Sequence, residues 1–382
     1  MGGKGKVVVV GHVSRTFKWC QKPLTISNSA GVAGLTTALI LSKRGHSVAV
    51  VAKHMPGDYD IDYTSPWAGA NYYPISTPGT REAEWDRVTF AELYRLAAQV
   101  PEAGVHFQDA IIYRREKDSR SVTADWFSEL LKERPWFASA VPEFRTIPKS
   151  DLPPGVDFGT RWKSMCINTA IYLPYLLSQC LKRQVTFCRG ALTHIRDAVN
   201  FHPTSSSDIV VVNCTGLGSS TLGGVADSRV TPVRGQTVLV RNIAPAMIVV
   251  SGTDDGDDEV MYIMTRAAGG GTVLGGTYQK GNWSSVPDKS TAERIMKRAV
   301  EWCPELVSKG EGVEGLDVVR HGVGLRPFRE GGARVEREAI GGVRVVHNYG
   351  AGSFGYQASY GMTEEAVKLV EESLGEEVKA RL

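Results

Sequence analysis

Charge of one sign is scarce in this sequence: 44 Lys and Arg stand against 41 Asp and Glu, a formal balance of +3. With no basic run beside it, that balance excludes nucleic acid as an expected partner. Long apolar runs are missing too, so no membrane span is expected. The apolar stretch at Val7 is too short for a secretory leader and runs straight into a glycine turn. Cysteine is sparse: Cys20, Cys166, Cys180, Cys188, Cys214 and Cys303 include no Cys-x-x-Cys pair. Scattered thiols of this kind are expected to be buried and free, not disulfides or metal ligands. No Ser-His-Asp set, no paired carboxylates, no metal cluster, no internal repeat and no low-complexity tract stands out. What remains is a globular composition, 42% apolar and 22% charged, in 382 residues, enough for two domains.

The chain is organised around Val7-Val8-Val9-Val10-Gly11, resumed at Ala30-Gly31-Val32-Ala33-Gly34-Leu35. Joined, the two pieces read as a buried strand, a glycine turn and a helix, followed by a second strand at 47–52. That is the dinucleotide-binding unit with a Gly-x-Gly-x-x-Gly phosphate turn. The first glycine makes the turn, the second lets backbone approach a pyrophosphate, and the third lets helix and strand pack closely. The helix N-terminus then faces the anion. Here the turn is split by residues 12–29.

Along the chain, helices are predicted over 34–44, 82–99, 168–181, 290–303 and 363–374, the last ending at Gly375. Strands are predicted over 7–10, 47–52, 105–108, 110–113, 185–189, 209–212, 237–240, 247–250, 260–264, 272–274, 318–326 and 343–348. The acidic run 254–259 reads as a solvated hairpin tip. The loop 54–78 carries Ser65-Pro66-Trp67-Ala68-Gly69-Ala70-Asn71, whose small residues allow backbone to approach a flat ligand. Asn213-Cys214-Thr215-Gly216 is a second strand-to-glycine turn. Nucleotide-type elements occur at the start, middle and end, with aromatic, antiparallel-looking segments between. The fold class expected is α/β, a Rossmann-like domain interleaved with a mixed or antiparallel β-sheet domain. The first domain is placed at 1–72, 166–225 and 318–382, and the second at 73–165 and 226–317.

Six ordered blocks carry a resemblance to a known family. They are the split Ala30–Leu35 turn, Ser65–Asn71, Thr231-Pro232-Val233-Arg234-Gly235-Gln236 and Gly275-Gly276-Thr277-Tyr278. The others are His321-Gly322-Val323-Gly324-Leu325-Arg326-Pro327 and His347-Asn348-Tyr349-Gly350-Ala351-Gly352-Ser353-Phe354-Gly355-Tyr356-Gln357. Together they cover nearly the whole chain, which resembles the D-amino-acid oxidase family of flavoenzymes. The resemblance implies non-covalent FAD, with the first domain holding the cofactor and the second the substrate. It implies oxidation of the Cα–H bond of a D-amino acid by hydride transfer to FAD, with O₂ and water consumed. The products are a 2-oxo acid, ammonia and H₂O₂. The hard chemistry is then the flavin's, and no protein acid or base is required.

A fixed cation is still needed for the substrate carboxylate. Arg326 suits it, because a guanidinium grips a carboxylate with two parallel hydrogen bonds; a structural ion pair is the alternative. By resemblance Tyr262 contacts that carboxylate, Tyr278 lines the pocket and Ser353 lies near the substrate amine. A tyrosine at 278 favours neutral side chains, since D-aspartate oxidases tend to carry arginine in that block. His321 is expected to pack or hydrogen-bond locally. Cofactor contacts are implied at Gly11, Ala30, Gly31, Val32, Gly34, Ser65, Ala68, Gly69, Asn71, Leu192, Thr215, Gly216, Gly352, Ser353, Gly355, Tyr356 and Gln357. The acid usual at the end of the second strand is replaced by Lys53 and His54, which are left to donate to ribose or phosphate. Oxidases of the same fold acting on D-aspartate, glycine or sarcosine remain as alternatives, as does an inactive chain with impaired FAD binding.

The tripeptide Ala380-Arg381-Leu382 is similar to the Ser-Lys-Leu type of peroxisomal address, which implies the peroxisomal matrix and an import receptor as partner. The other partners expected are the small-molecule D-amino acid, O₂ and a second copy in a homodimer. The insert at 12–29 is either a loop directed outward or a retained intron, since Val13-Ser14 can be encoded by a 5′ splice-site-like GTNAGY. Loop closure costs little, but an excursion between the first two glycines sits against the pyrophosphate. Deleting residues 12–29 is expected to raise the flavin retained per purified chain, read from visible absorbance. Equal retention with and without the insert would show that it stays clear of the phosphate turn.

Overall fold

The computed structural model describes residues 6–10, 31–202 and 209–380. The expectations placed on Gly11, Ala30, residues 12–29 and the terminal Arg381-Leu382 lie outside them. Fifteen described strands are β1 Lys6–Val10, β2 Ser47–Ala52, β3 Val105–Arg114, β4 Arg145–Thr146, β5 Phe158–Ile167, β6 Thr186–Arg189, β7 Ile209–Asn213, β8 Val230–Val240, β9 Met247–Val250, β10 Glu259–Thr265, β11 Thr272–Thr277, β12 Gln279–Lys280, β13 Val318–Arg329, β14 Arg334–Ile340 and β15 Val343–Tyr349. The α-helices are α1 Val32–Lys43, α2 Arg81–Gln99, α3 Val122–Trp126, α4 Thr169–Lys182, α5 Lys289–Trp302 and α6 Ser359–Ala380. The chain divides into two compact units. One comprises Met1–Pro66, Leu173–Pro232 and Arg326–Leu382; the other comprises Trp67–Tyr172 and Val233–Leu325.

The first unit is built on a six-stranded sheet of order β14-β15-β7-β1-β2-β6. All its pairings are parallel except β14 with β15. A parallel sheet is covered on both faces, so its strands read as continuous apolar runs. Val48 to Ala52 and Ile209 to Val212 are buried throughout, as that requires. Helix α1 packs against α6. At that contact Thr37 Oγ1 donates to the Ala33 carbonyl at 2.7 Å, accepts from Asn348 Nδ2 at 3.1 Å and lies 3.3 Å from Thr363 Oγ1. The helix expected to stop at Gly375 continues to Ala380. Gly375 takes no left-handed turn and stands in open space, so nothing there breaks the helix.

The second unit holds the other sheet, of order β12-β8-β11-β10-β9-β3-β5-β4, with β13 paired to β8. It is mixed: β3 runs parallel to β9 and antiparallel to β5. Side chains alternate between two cores, as the two-residue period of a strand dictates. Val238, Val240, Ile248, Val250, Met261, Ile263 and Leu274 meet Ala292, Ile295 and Ala299 of α5. On the other face Met247, Val249, Met264 and Val273 meet Phe127, Leu130, Phe137 and Trp162, with Tyr262 packed alongside.

Three sequence expectations are corrected here. Residues 105–114 form one strand, not two, because Asp109 is held across the ladder by Arg161 and by Lys163 at 2.6 Å. The acidic run 254–259 is not wholly a solvated tip: Glu259 is buried, with Arg294 Nε at 2.8 Å and Arg298 Nη1 at 2.5 Å. Strands β5 and β14 have no counterpart in the sequence reading. Among the described residues Cys166, Cys180 and Cys303 are buried and free as expected, whereas the free Cys188 and Cys214 are only half-buried. Burial pushes the Cys166, Cys180 and Cys214 thiols up to about 12.

Candidate functional site

In the first unit the carboxyl ends of β15, β7, β1, β2 and β6 open along one edge of the sheet. Strand β1 lies between β7 and β2, so the chain winds away from it in both directions. Ligands of open α/β sheets bind outside the strand ends at such a reversal. The loops leaving these strands contain residues 53–54, 190–192, 214–216 and 350–357, which include most of the expected cofactor contacts.

At the start of α1 the Val32 N–H donates to Ser65 Oγ at 3.0 Å. An added Cβ on Gly31 would collide with that hydroxyl, so residue 31 has to be glycine for Ser65 to reach the helix end. Tyr356 Oη donates to the Ser65 carbonyl at 2.9 Å. Gly31, Val32, Ser65 and Tyr356 are thus brought together, and Gly34 is buried within α1. In the same block Gly352 has φ +56° and donates to the Pro327 carbonyl at 2.9 Å. Ser353 is exposed, Gly355 half-buried and Gln357 buried.

A second group surrounds Thr215 and Gly216. Asn213 Oδ1 accepts from the Thr215 N–H at 3.1 Å and from its hydroxyl at 2.7 Å. The Thr215 oxygen then accepts from Ser219 Oγ, 2.7 Å away. Asn213 Nδ2 lies 3.3 Å from His347 Nδ1, which must accept, so His347 Nε2 carries the proton and donates to Glu338 Oε2 at 3.1 Å. Burial, reinforced by the charge of Arg334, lowers the His347 pKa to about 4. A neutral imidazole therefore holds Asn213, and Asn213 holds the turn at Thr215.

Lys53, His54 and Leu192 form a third group at β2 and β6. Lys53 Nζ is 3.4 Å from Asp62 Oδ2, and His54 Nε2 is 3.6 Å from Asp60 Oδ1. Asp58 accepts from the Met55 N–H at 2.9 Å and from Arg189 Nη1 at 2.8 Å. Burial pushes the Asp58 carboxyl up, but Arg189 outweighs it and keeps the group ionised below its ordinary range. Three carboxylates of the following loop, Asp58, Asp60 and Asp62, thus stand at the end of β2. The alternation Asp58-Tyr59-Asp60-Ile61-Asp62 was the available signal. Leu192 is buried in a cluster with Val51, Ile195 and Val211, so only its backbone can face a ligand.

Most of the rest lies in the second unit, whereas Arg326 belongs to the first. Arg266 donates from Nε to the Gly69 carbonyl at 2.6 Å and from Nη2 to the Ala68 carbonyl at 2.8 Å. Ala70 exchanges two backbone hydrogen bonds with Ile167, and Asn71 bridges to Cys166. The Trp67 indole lies on the glycine face of β13, where a Cβ on Gly324 would be 2.6 Å from the Trp67 Cβ. Arg320 lies over that ring at 5.3 Å. Arg320, Gly322, Gly324 and Arg326 alternate onto one face of β13, and Arg326 is half-buried. His321 is exposed on the other face. The Tyr262 ring lies flat against Gly275, in register with it across β10 and β11, and leaves no room for a side chain there. Tyr278 follows β11, and its ring lies against that of Trp126, tilted by 35° with the centroids 4.5 Å apart.

Comparison with known proteins adds the lineage to this geometry. The family model for FAD-dependent oxidoreductases of the DAO type matches residues 30–369. The chain belongs to this family. It is 49% identical over 356 residues to a D-amino-acid oxidase of Fusarium vanettenii, covering 92% of this chain and 98% of that one. A D-amino-acid oxidase of Schizosaccharomyces pombe is 40% identical over 344 residues, covering 89% and 94%. A D-aspartate oxidase of Talaromyces thermophilus is 32% identical over 371 residues, covering 91% and 95%. Among solved structures the fold matches glycine oxidase from Geobacillus kaustophilus, with TM-score 0.68 and 17% identity over 97% of this chain and 95% of that one. It also matches L-α-glycerophosphate oxidase from Mycoplasma pneumoniae with FAD bound, with TM-score 0.65 and 16% identity over 96% and 95%. The family match begins at Ala30, just after the insert.

The family's cofactor is FAD, and the first unit suits it. Gly31 leaves no Cβ in the approach to α1, and the strand-end turns at Gly216 and Gly352 both take left-handed backbone. Sequence reasoning missed Asn213 and His347 as supports of the Thr215 turn, because nothing in their spacing marks a buried pair 134 residues apart. His347 also makes stability depend on pH. Its folded pKa lies below its ordinary 6.5, so the unfolded chain binds the proton first, and stability falls as pH drops from about 6.5 towards about 4. The midpoint of urea unfolding is expected to fall less between pH 7.5 and pH 5 in His347→Gln than in the natural chain. Parallel falls in the two proteins would remove His347 from that account.

Proposed function

We propose that the chain is a D-amino-acid oxidase acting on neutral substrates: a D-amino acid, water and O₂ give a 2-oxo acid, ammonia and H₂O₂. The observation that carries this reading is Tyr278. A phenol packed against an indole is an apolar wall with one hydroxyl, where a second substrate carboxylate would need a cation. The relatives at 49% and 40% identity are named D-amino-acid oxidases, whereas two D-aspartate oxidases stand at 32% and 31%. A second reading, oxidation of D-aspartate, would need another cation to serve that wall.

In this reading the segments 1–72, 166–225 and 318–382 hold FAD, and 73–165 with 226–317 hold the substrate. Gly31, Val32, Gly34, Lys53, His54, Ser65, Thr215, Gly216 and the 352–357 block serve the cofactor, with Ala68, Gly69, Asn71 and the Leu192 backbone. When bound, FAD supplies the hydride acceptor. The protein's part is binding and orientation. Arg326 grips the substrate carboxylate through two parallel hydrogen bonds and so fixes the plane of that carboxylate. Tyr262, held flat by Gly275, offers its hydroxyl to the same carboxylate. Tyr278 bounds the side chain, and Ser353 stands near the amine. Ala380-Arg381-Leu382 directs the chain to the peroxisomal matrix through an import receptor, and a homodimer is the assembly expected there.

Purified protein is expected to oxidise D-alanine with release of H₂O₂ and to prefer it to D-aspartate and glycine. No turnover of any D-amino acid would sink the reading, and preference for D-aspartate would reverse it on Tyr278. Arg326→Lys should lower kcat/KM for D-alanine by about 10- to 100-fold, mainly through KM, since one charge-assisted hydrogen bond is lost. An unchanged KM would place the substrate carboxylate elsewhere. A fluorescent protein ending in the last ten residues of this chain should enter peroxisomes, and removal of the final three should leave it in the cytosol. Import of both forms, or of neither, would discard the address.

A further inference from the structure

We infer that Trp126 determines which side chains the enzyme accepts, by bracing Tyr278 from behind. This rests on the reading of Tyr278 as a wall of the substrate site. The two rings lie 4.5 Å apart at 35°, and Trp126 stacks in turn on Phe127 at 4.5 Å. Phe127 is buried in the core on the Tyr262 face of the sheet, so the stack is anchored in packed structure.

Both partners hang from one corner of the second unit. The Tyr278 N–H donates to the Asp258 carbonyl at 2.6 Å, and Gln279 Nε2 donates to the Asp258 carboxylate at 2.8 Å. On the next residue, the Glu259 carbonyl accepts from Thr123 Oγ1 of helix α3 at 3.5 Å. That one-turn helix is capped by Ser121, whose hydroxyl accepts from the Ala124 N–H at 3.0 Å, and Ala124 is buried. Trp126 ends the helix. The corner itself is held by α5, through Arg294 and Arg298 on the buried Glu259 carboxylate. Two adjacent residues, Asp258 in the turn and Glu259 at the start of β10, therefore set the spacing of the two rings.

A tyrosine supported on one side only could rotate about χ1 and make room for a larger ligand. With the indole 4.5 Å from the phenol, rotation of Tyr278 towards that side is blocked. The wall is then rigid and apolar, and the room left for a substrate side chain is limited. Trp126 is a specificity-determining residue by this geometry, acting through Tyr278.

The test is steady-state kinetics of the FAD-loaded natural enzyme, Trp126→Ala and Trp126→Phe with D-alanine and D-phenylalanine. Dissociation constants for both amino acids are measured in parallel from the anaerobic change in flavin absorbance. In the Ala variant the ratio of kcat/KM for D-phenylalanine over D-alanine should rise about fivefold, an amount in keeping with loss of one aromatic contact. The change should lie in KM for D-phenylalanine, with kcat for D-alanine within about twofold, and Phe at 126 should return the ratio towards the natural value. A ratio unchanged within about twofold, in a variant that keeps its flavin and its Tm, would overturn the inference. If the Ala variant loses either, Trp126→Leu takes its place under the same criteria. A natural enzyme that oxidises neither amino acid would overturn the proposed activity instead, and the ratio of dissociation constants would still decide the role of Trp126.

Discussion

Five parallel strands in the first unit end on the same edge of one sheet, and their closing turns must share that narrow space. Glycine at 31, 216 and 352 follows from this crowding. At Gly31 the Ser65 hydroxyl occupies the volume of a Cβ, and at Gly216 and Gly352 the backbone takes left-handed turns. The same crowding explains the polar network beneath Thr215. A turn that leaves a buried strand carries backbone groups that water cannot reach, so Asn213 accepts the Thr215 N–H and a neutral His347 holds Asn213. The Thr215 turn of the first unit is therefore backbone held in place by buried polar side chains.

The second unit solves a different problem. Its sheet is covered on both faces, so successive residues of β10 serve opposite purposes. Met261 and Ile263 pack on α5, whereas Tyr262 and Met264 face the aromatic core. Helix α5 acts a second time through Arg294 and Arg298, which neutralise the buried Glu259 carboxylate. An unpaired carboxylate in that position would be strongly destabilising. Paired, it fixes the corner from which both Tyr278 and α3 are suspended. Specificity in this reading is a property of the scaffold, transmitted through two packed rings.

Much of this was legible in the residues. Buried parallel strands announce themselves as apolar runs, so 47–52 and 209–212 could be read directly. The six family blocks pointed to FAD and to D-amino-acid oxidation, and the family membership and named relatives agree. Strand β14, Arg-Val-Glu-Arg-Glu-Ala-Ile, escaped because an edge strand carries charge on its solvent side and loses the alternating pattern. Strand β3 looked broken at Asp109 because its countercharges, Arg161 and Lys163, lie more than fifty residues away.

By itself the sequence determined the class of fold and the cofactor chemistry, and it singled out Arg326 as the cation proposed for a carboxylate. These depend on local pattern and on residue type, which a linear string preserves. Only the tertiary structure decided what stands beside each of those residues. It brought Asp58, Asp60 and Asp62 to the cationic end of β2, put His347 under the Thr215 turn and set Trp126 against Tyr278. Those pairings join residues far apart in sequence or hidden in unpatterned loops. Their energies come from burial and from satisfied hydrogen bonds, which exist only once the chain has folded.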